Sequence, residues 1–447
     1  MNQLQQLGGA LIERALARGA DAADAVVASG SSISIDVARG ALEHAERAEG
    51  IDLGLRVMLG QRQAIVSASD SSDSTLDEMA ERAIAMAREA PEDPFAGLAS
   101  PDLLAHDFDV TALELADPSA EPSPIALEED ARIAEAAALG IDGVSQVQSA
   151  TAGYGAQETY LCTSNGFGAG YHRTSRSISA VAIAGEGTGM ERDYDGESRI
   201  FQSDLRAPDD VGRLAGERAV ARLNPRKPAT GTYPVLFDER IASSLVGHLL
   251  MAVNGASVAR GSSWLKDALG EEVLPDALSL VEDPHRPRMA ASRPFDAEGL
   301  PTARRVIVDN GVLTGWTLDL ASARKLGMHS TANAARGASS LPSPSNWNIE
   351  LTQGAQSPKE LMRDMGEGLL ITSMIGSTIN PNTGDYSRGA AGFWIENGEV
   401  AYAVNECTIA GNLRDMLRRI IPANDARTDL SRVVPSLMIE GMTIAGN

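Results

Sequence analysis

Gly384-Asp-Tyr-Ser-Arg-Gly-Ala-Ala-Gly-Phe-Trp-Ile-Glu-Asn-Gly-Glu-Val-Ala-Tyr-Ala-Val-Asn-Glu-Cys-Thr-Ile-Ala-Gly-Asn-Leu413 contains the strongest local signal in the chain. Asn397-Gly398 stands between two apolar runs, Phe393 to Ile395 and Val400 to Val404. Only Asn, Asp and Gly accept positive φ readily, so this pair predicts a hairpin closed by a type I′ turn. Ahead of it, Gly384 to Gly392 is a stretch of small residues whose bulky polar groups are Asp385, Tyr386 and Arg388. Glycines leading into a buried hairpin suggest a loop where backbone is approached closely. A plain surface turn is the other reading of the same residues.

The same logic repeats upstream. Val306 to Val308, a turn at Asp309-Asn-Gly311, and Val312 to Leu318 predict a second hairpin, and Leu437 to Ile439 a further strand. Pro234 to Phe237 reads as a short strand, and Ile241 to Val253 as an apolar helix. Helices are expected near Pro358 to Gly368 and Asn412 to Arg419. Residues 228–447 are therefore expected to form a large, mainly antiparallel β domain decorated by helices, beginning after Pro225-Arg-Lys-Pro228.

The N-terminal residues 1–95 read as an α+β unit. A helix carries Leu4, Leu7, Leu11, Ile12 and Leu16 at helical spacing and closes at Gly19. Four strand-like runs follow, at Ala25 to Ser29, Ser32 to Ala38, Ile51 to Leu59 and Gln63 to Ser69. A second helix opens with a capping-box pattern at Thr75-Leu-Asp-Glu78 and stops at Pro91. Residues 96–227 begin as a proline-rich connector (Ala90 to Pro124) expected on the surface. They continue as a helix from Pro124 to Leu139, strands near Gly143 to Ala152, Glu158 to Ser164, Gly166 to His172 and Arg176 to Ala184, and a helix from Asp209 to Leu223. The predicted class is α+β: an N-terminal sheet with helices, a middle α+β region and a C-terminal β domain.

Composition narrows the function. At 447 residues the chain exceeds one ordinary core, and its 43% hydrophobic and 22% charged residues are those of a folded globular protein. A net charge of −23 repels phosphate backbones, and 4% aromatics offer few stacking platforms, which argues against nucleic acid. No apolar run reaches the length of a membrane span. Cys162 and Cys407 are too few and too far apart for a disulfide framework or a Cys-x-x-Cys site. With no signal-peptide pattern, a cytoplasmic protein is expected.

The search for catalytic patterns is mostly negative. None of His44, His106, His172, His248, His285 and His329 is followed by Glu, and no two lie within two helical turns. The His-Glu-x-x-His arrangement of a zinc peptidase is thus missing. There is no Gly-x-Ser-x-Gly elbow and no Gly-Lys dipeptide for a P-loop. Gly166-x-Gly-x-Gly170 lacks the strand-to-helix context of a nucleotide loop, and Glu128-Glu129-Asp130 suits a helix's first turn.

The stretch from Gly384, together with Met190-Glu-Arg-Asp-Tyr194, Pro294-Phe-Asp-Ala-Glu-Gly299 and Ser322-Ala-Arg-Lys-Leu-Gly327, resembles the TldE (PmbA) family over most of the chain. Members of that family partner the TldD metallopeptidases. The resemblance implies a non-catalytic subunit of a TldD–TldE type zinc peptidase that degrades unfolded or extended peptides, with the zinc held by the partner and no cofactor in this chain. In TldD-like proteins a His-Glu-x-x-x-His helix precedes a glycine-arginine stretch; here the matching helix runs from Ser244 to Asn254, before Ala259-Arg-Gly. By that register Val246 and Met251 stand at the ligand positions and Gly247 at the general base, side chains unable to bind zinc or activate water. His248 on the same helix is expected in the core or at an interface. Asn254, Arg260, Ser262, Asp385, Tyr386, Ser387 and Arg388 are the expected peptide- or partner-facing residues, with strand addition as the binding mode. Shaping the loops alone is the competing role for these seven. The rival functions are a regulatory, gyrase-modulator-like protein-binding factor, and a peptidase acting alone. A homodimer is the alternative assembly.

Overall fold

The computed structural model describes residues 2–446. Its first part comprises α1 (Asn2–Ala17), β1 (Ala22–Ala38), β2 (Ala41–Leu59), β3 (Arg62–Ala68), α2 (Asp73–Glu89), α3 (Pro124–Leu139), β4 (Val144–Thr163), β5 (Gly168–Ala184), β6 (Glu191–Arg199) and α4 (Pro208–Ala221). The strands form one antiparallel sheet in the order β3-β2-β1-β4-β5-β6, leaving β3 and β6 as its edges. The N-terminal and middle segments therefore share a sheet, joined where β1 pairs with β4 from Asp24↔Thr163 to Val37↔Ala150.

The four long runs predicted for β1 and β4 fuse into two strands. Ala23, Ala25 and Val27 of β1 pack under α1 and α2, whereas Ile33, Ile35 and Val37 pack under α3 and α4. All six share one face, since alternate residues of a strand point the same way. Between them Ala28 to Ser32 fall in the gap separating the helix pairs, so the apolar pattern lapses while the strand continues. The predicted capping box at Thr75 is not the cap: α2 starts one turn earlier, with Ser72 Oγ accepting from Thr75 N at 3.4 Å. The connector also departs from expectation. Leu104 and Ala105 are buried with Val26, Leu161, Phe167, Phe295 and Leu300 on the sheet's opposite face, where Phe295 meets Phe167 edge-on at 5.0 Å.

The rest of the chain comprises β7 (Gly231–Phe237), α5 (Glu239–Ala252), α6 (Gly255–Ala259), β8 (Leu280–Glu282), β9 (Arg305–Asp309), β10 (Val312–Leu313), α7 (Leu320–Leu326), β11 (Ala334–Ala335), β12 (Ser343–Pro344), β13 (Ile349–Leu351), α8 (Pro358–Met365), β14 (Gly368–Ile379), β15 (Asp385–Glu396), β16 (Glu399–Asn412), α9 (Leu413–Leu417), β17 (Ile420–Pro422), β18 (Arg432–Val433) and β19 (Leu437–Ala445). The order β16-β15-β14-β7-β19 closes on itself, because β19 pairs with β7 and also with β16 at Thr408↔Ala445 to Ala410↔Thr443. The result is a small barrel, antiparallel except for β14 beside β7. A second sheet, β10-β9-β8-β13-β18, lies across α5, whose buried residues Ala242, Leu245, Val246 and Leu249 share one core with both. The α+β class and the mainly antiparallel C-terminal region stand as expected.

The turns at Asn397-Gly398 and Asn310-Gly311 form as predicted, with φ of 54° and 80° at the first pair and 44° and 83° at the second. The stretch Gly384 to Gly392, however, is not a loop. From Asp385 onward it is β15, paired on one side with β14 and on the other with β16.

Candidate functional site

Strand β6 reads Glu191-Arg-Asp-Tyr-Asp-Gly-Glu-Ser-Arg199, with acids at every second position. Its period of two places Asp193, Asp195 and Glu197 on the buried face. Carboxylates there require counter-charges, because an unpaired buried charge is costly. Arg218 and Arg206 meet Asp195 at 2.6 and 2.8 Å, and Arg240 of α5 meets Asp193 at 3.2 Å. Glu197 takes Arg199 at 2.7 Å and Arg427 at 2.6 Å. Burial opposes the ionisation of Glu197, yet the hydrogen bonds from Arg199 and from Arg206 N–H, with the neighbouring positive charges, hold its carboxyl below the usual range. Arg240 and Arg427 come from the C-terminal part, so this ionic layer also ties the two halves together.

The free edge of β6 borders two cavities. One of about 500 Å³ lies between Tyr194 to Ile200 and the C-terminal Glu239, Ser243 and Arg427 to Arg432. The other, about 540 Å³, lies between Glu191 to Tyr194 and Met374, Ile375, Ala391 and Asn405. Between them, side chains occupy the place of a missing neighbour strand: Tyr194 N–H donates to Asp193 Oδ1 at 2.8 Å, and Tyr194 C=O accepts from Arg218 at 3.2 Å. Glu239, in the first turn of α5, has its carboxyl pushed above the ordinary range by burial and then by Asp238.

The predicted residues fall into separate groups. Asn254 caps α6, accepting from Ala256 N and Ser257 N and donating to Pro344 O at 2.8 Å. Ser262 Oγ donates to Ser257 O at 3.3 Å, and the exposed Arg260 donates to Ser257 Oγ at 3.5 Å. Asp385 is exposed, held by Thr383 and Asn412, whose hydrogen bonds lower its carboxyl. Ser387 lies opposite Ala410 on β16. Tyr386 is 2% exposed, its ring 5.9 Å from His248 and its hydroxyl 3.2 Å from Met374 Sδ. Burial pushes that hydroxyl up to about 12. The two stretches meet where Gly384 packs on Trp264, by apolar contact. A peptide cannot add to β15, since both its edges are taken; the sheet edge that borders the two cavities is that of β6.

A zinc ion does not suit the expected helix. Val246 is 3% exposed in the core while Met251 is 68% exposed, so they occupy different faces, and Gly247 has no side chain. Burial and then the Arg388 charge depress the His248 imidazole, and Nε2 has no hydrogen-bond partner among the described residues. A nearby guanidinium is a poor neighbour for a cation. Among the described residues no three His, Cys, Asp or Glu side chains converge as a metal site. The acids of β6 escaped the sequence reading because strand signals are usually sought in apolar alternation; here the alternation is in charge.

Family models agree with this architecture in three consecutive pieces: the PmbA/TldA metallopeptidase domain 1 over residues 23–87, the central domain over 117–223, and the C-terminal domain over 230–446. The chain is 40% identical over 432 residues to the metalloprotease PmbA of Escherichia coli O157:H7, covering 95% of this chain and 92% of that protein. It is 37% identical over 459 residues to the Haemophilus influenzae PmbA homologue, covering 100% and 96%. Among solved structures, a Bacteroides thetaiotaomicron protein named as a candidate modulator of DNA gyrase superposes with a TM-score of 0.91 at 28% identity over the full length of both chains. TldE from Thermococcus kodakarensis shares the fold, with a TM-score of 0.85 at 21% identity, covering 98% of this chain and 100% of that one. The chain belongs to the PmbA/TldD metallopeptidase family.

Proposed function

We propose that this chain is the non-catalytic subunit of a two-protein peptidase, in which a TldD-like partner carries the zinc and the general base. Its own role is to receive an unfolded or extended peptide in the groove beside β6 and to complete the enclosure around the partner's site. The observation that carries this reading is the pairing of an open strand edge with a helix α5 that carries Val246, Gly247 and Met251 at the positions where the resemblance puts the zinc ligands and the base. A strand edge binds any extended backbone through main-chain hydrogen bonds, which suits substrates of varied sequence. The side chains holding Tyr194 would give way to the incoming strand. Holding substrate in register matters to rate, because a displacement of about 1 Å can cost on the order of 10²-fold.

No helix among the described residues is long and apolar enough to cross a membrane, and two buried free thiols suit a reducing cytoplasm. Association with the partner in that compartment is part of the proposal.

The test combines an unfolded polypeptide with this chain, with a TldD-like protein, and with both. Cleavage is expected only when the partner is present, and should be strongest with both and abolished by mutating the partner's zinc ligands. Elemental analysis should find no stoichiometric zinc in this chain. Chelator-resistant cleavage by this chain alone overturns the proposal.

A further inference from the structure

The cavity of about 540 Å³ beside β6 has two large apolar side chains open to solvent at its walls. Tyr194 is 58% exposed and Ile375 of β14 is 78% exposed, and both line it. Val181, paired with Tyr194 across β5, lines it too, as do Met374 and Ala391. A single exposed Leu or Ile needs no explanation, but apolar side chains gathered around one concavity mark a binding site.

The charged groups around this cavity already have partners. Glu191 takes Arg222 at 3.8 Å and Asn405 at 3.3 Å, and Asp193 takes Arg222 at 3.5 Å and Arg240 at 3.2 Å. Glu406 takes Lys227 at 3.1 Å, and Arg192 donates to Gln148 at 3.5 Å. A charged guest would have to compete with these pairs and shed its hydration, whereas an apolar guest gains by leaving water.

Strand β6 fixes which residue of an added strand arrives there. Tyr194 N–H and C=O, held by Asp193 Oδ1 and Arg218, are the groups that a strand laid on this edge would take. In an antiparallel ladder the residue that exchanges both bonds lies directly opposite, with its side chain on the same face. Tyr194 is on the exposed face of β6, while Asp193 and Asp195 are on the buried one. On the groove reading given above, we propose that the peptide residue opposite Tyr194 is bulky and apolar, an aromatic or branched aliphatic side chain received between Tyr194 and Ile375. These two residues set the specificity of the groove. Its substrates are extended segments carrying the core-type side chains that an unfolded chain displays and a folded one hides.

Fluorescence anisotropy on the full chain tests this, using labelled decapeptides that differ at one central position, Phe, Leu, Ala, Asp or Lys, in a serine-threonine host. The Phe and Leu peptides should bind about tenfold or more tighter than the other three. Tyr194→Ser and Ile375→Ser alter exposed side chains, so melting should hold while the Phe-to-Ala affinity ratio falls toward one. Val400→Ser, at a side chain 51% exposed that lies outside the cavity, should leave that ratio as it was. Equal binding of all five peptides keeps the groove and overturns the subsite alone; binding of none overturns the groove with it. A preference for Asp or Lys, or a Phe-to-Ala ratio untouched by both cavity variants, also overturns the assignment.

Discussion

Replacing Gly392 by alanine should destabilise the barrel, and replacing Gly389 should not. A methyl group on Gly392 would sit 2.9 Å from Ile371 Cα and 3.0 Å from the Leu370 carbonyl carbon, with the carbonyl oxygen nearer still. Those atoms cannot withdraw, because β14 is pinned by β15 on one side and by β7 on the other. Overpacking against fixed backbone costs about 3 kcal/mol, and the reduced freedom of the unfolded chain offsets about 0.5–1 kcal/mol of it. The net, about 2 kcal/mol, corresponds to a fall of roughly 4–8 °C in the melting of a unit this size. At Gly389 the obstructing atom is Ile375 Cγ2, at 2.7 Å, on a side chain 78% exposed and free to rotate. Its alanine variant should lose well under 1 kcal/mol. Scanning calorimetry of the full chain measures both. A Gly392→Ala melting within about 1 °C of the parent, or a larger loss at Gly389, refutes the reasoning.

Other expectations follow from the buried ionisable groups. Burial pushes the thiols of Cys162 and Cys407 up to about 12 and about 11, so neither should react with a thiol reagent in the native protein, and both should after denaturation. Burial and the Asp296 charge raise Glu298 above its ordinary value of 4.5, so the folded protein holds that proton more tightly than the unfolded chain. The stability this gives is full below the ordinary value and is lost as pH rises through the raised one; Glu298→Gln should flatten that decline in denaturant titrations run across pH, and an unchanged slope argues against it. Asp24→Asn leaves Arg56 and Arg336 buried without their counter-charge, and should cost about 3–5 kcal/mol in the same titrations; a loss below about 1 kcal/mol would place the charges elsewhere.

Local chemistry made parts of this fold legible. Asn310-Gly311 and Asn397-Gly398 announce their turns because few residues accept positive φ twice in succession. The helix from Pro124 to Leu139 was readable from its proline start and Gly140 stop. What depends on distant partners was not readable. β1 looked like two strands because its cover comes from two helix pairs with a gap between them. Gly384 to Gly392 looked like a loop because its small residues answer to Ile371 and Ile375 on another strand. Nothing near Arg336 hints that its partner is Asp24, 312 residues earlier. The site suffered most: the groove rests on β6, whose edge is open only because the sheet ends there, and on Arg240 and Arg427 reaching across from the other half.

The closed barrel sets a timetable for the chain's birth. β7 begins at residue 231, and its neighbour β19 ends at residue 445. At the usual pace of synthesis these stretches emerge roughly 10–40 s apart. Through that interval Val235 and Leu236, fully buried in the finished protein, have one flank that no translated segment can cover. The nascent C-terminal half is thus a client for any holding factor at the ribosome, and a premature stop before Leu437 leaves it one permanently.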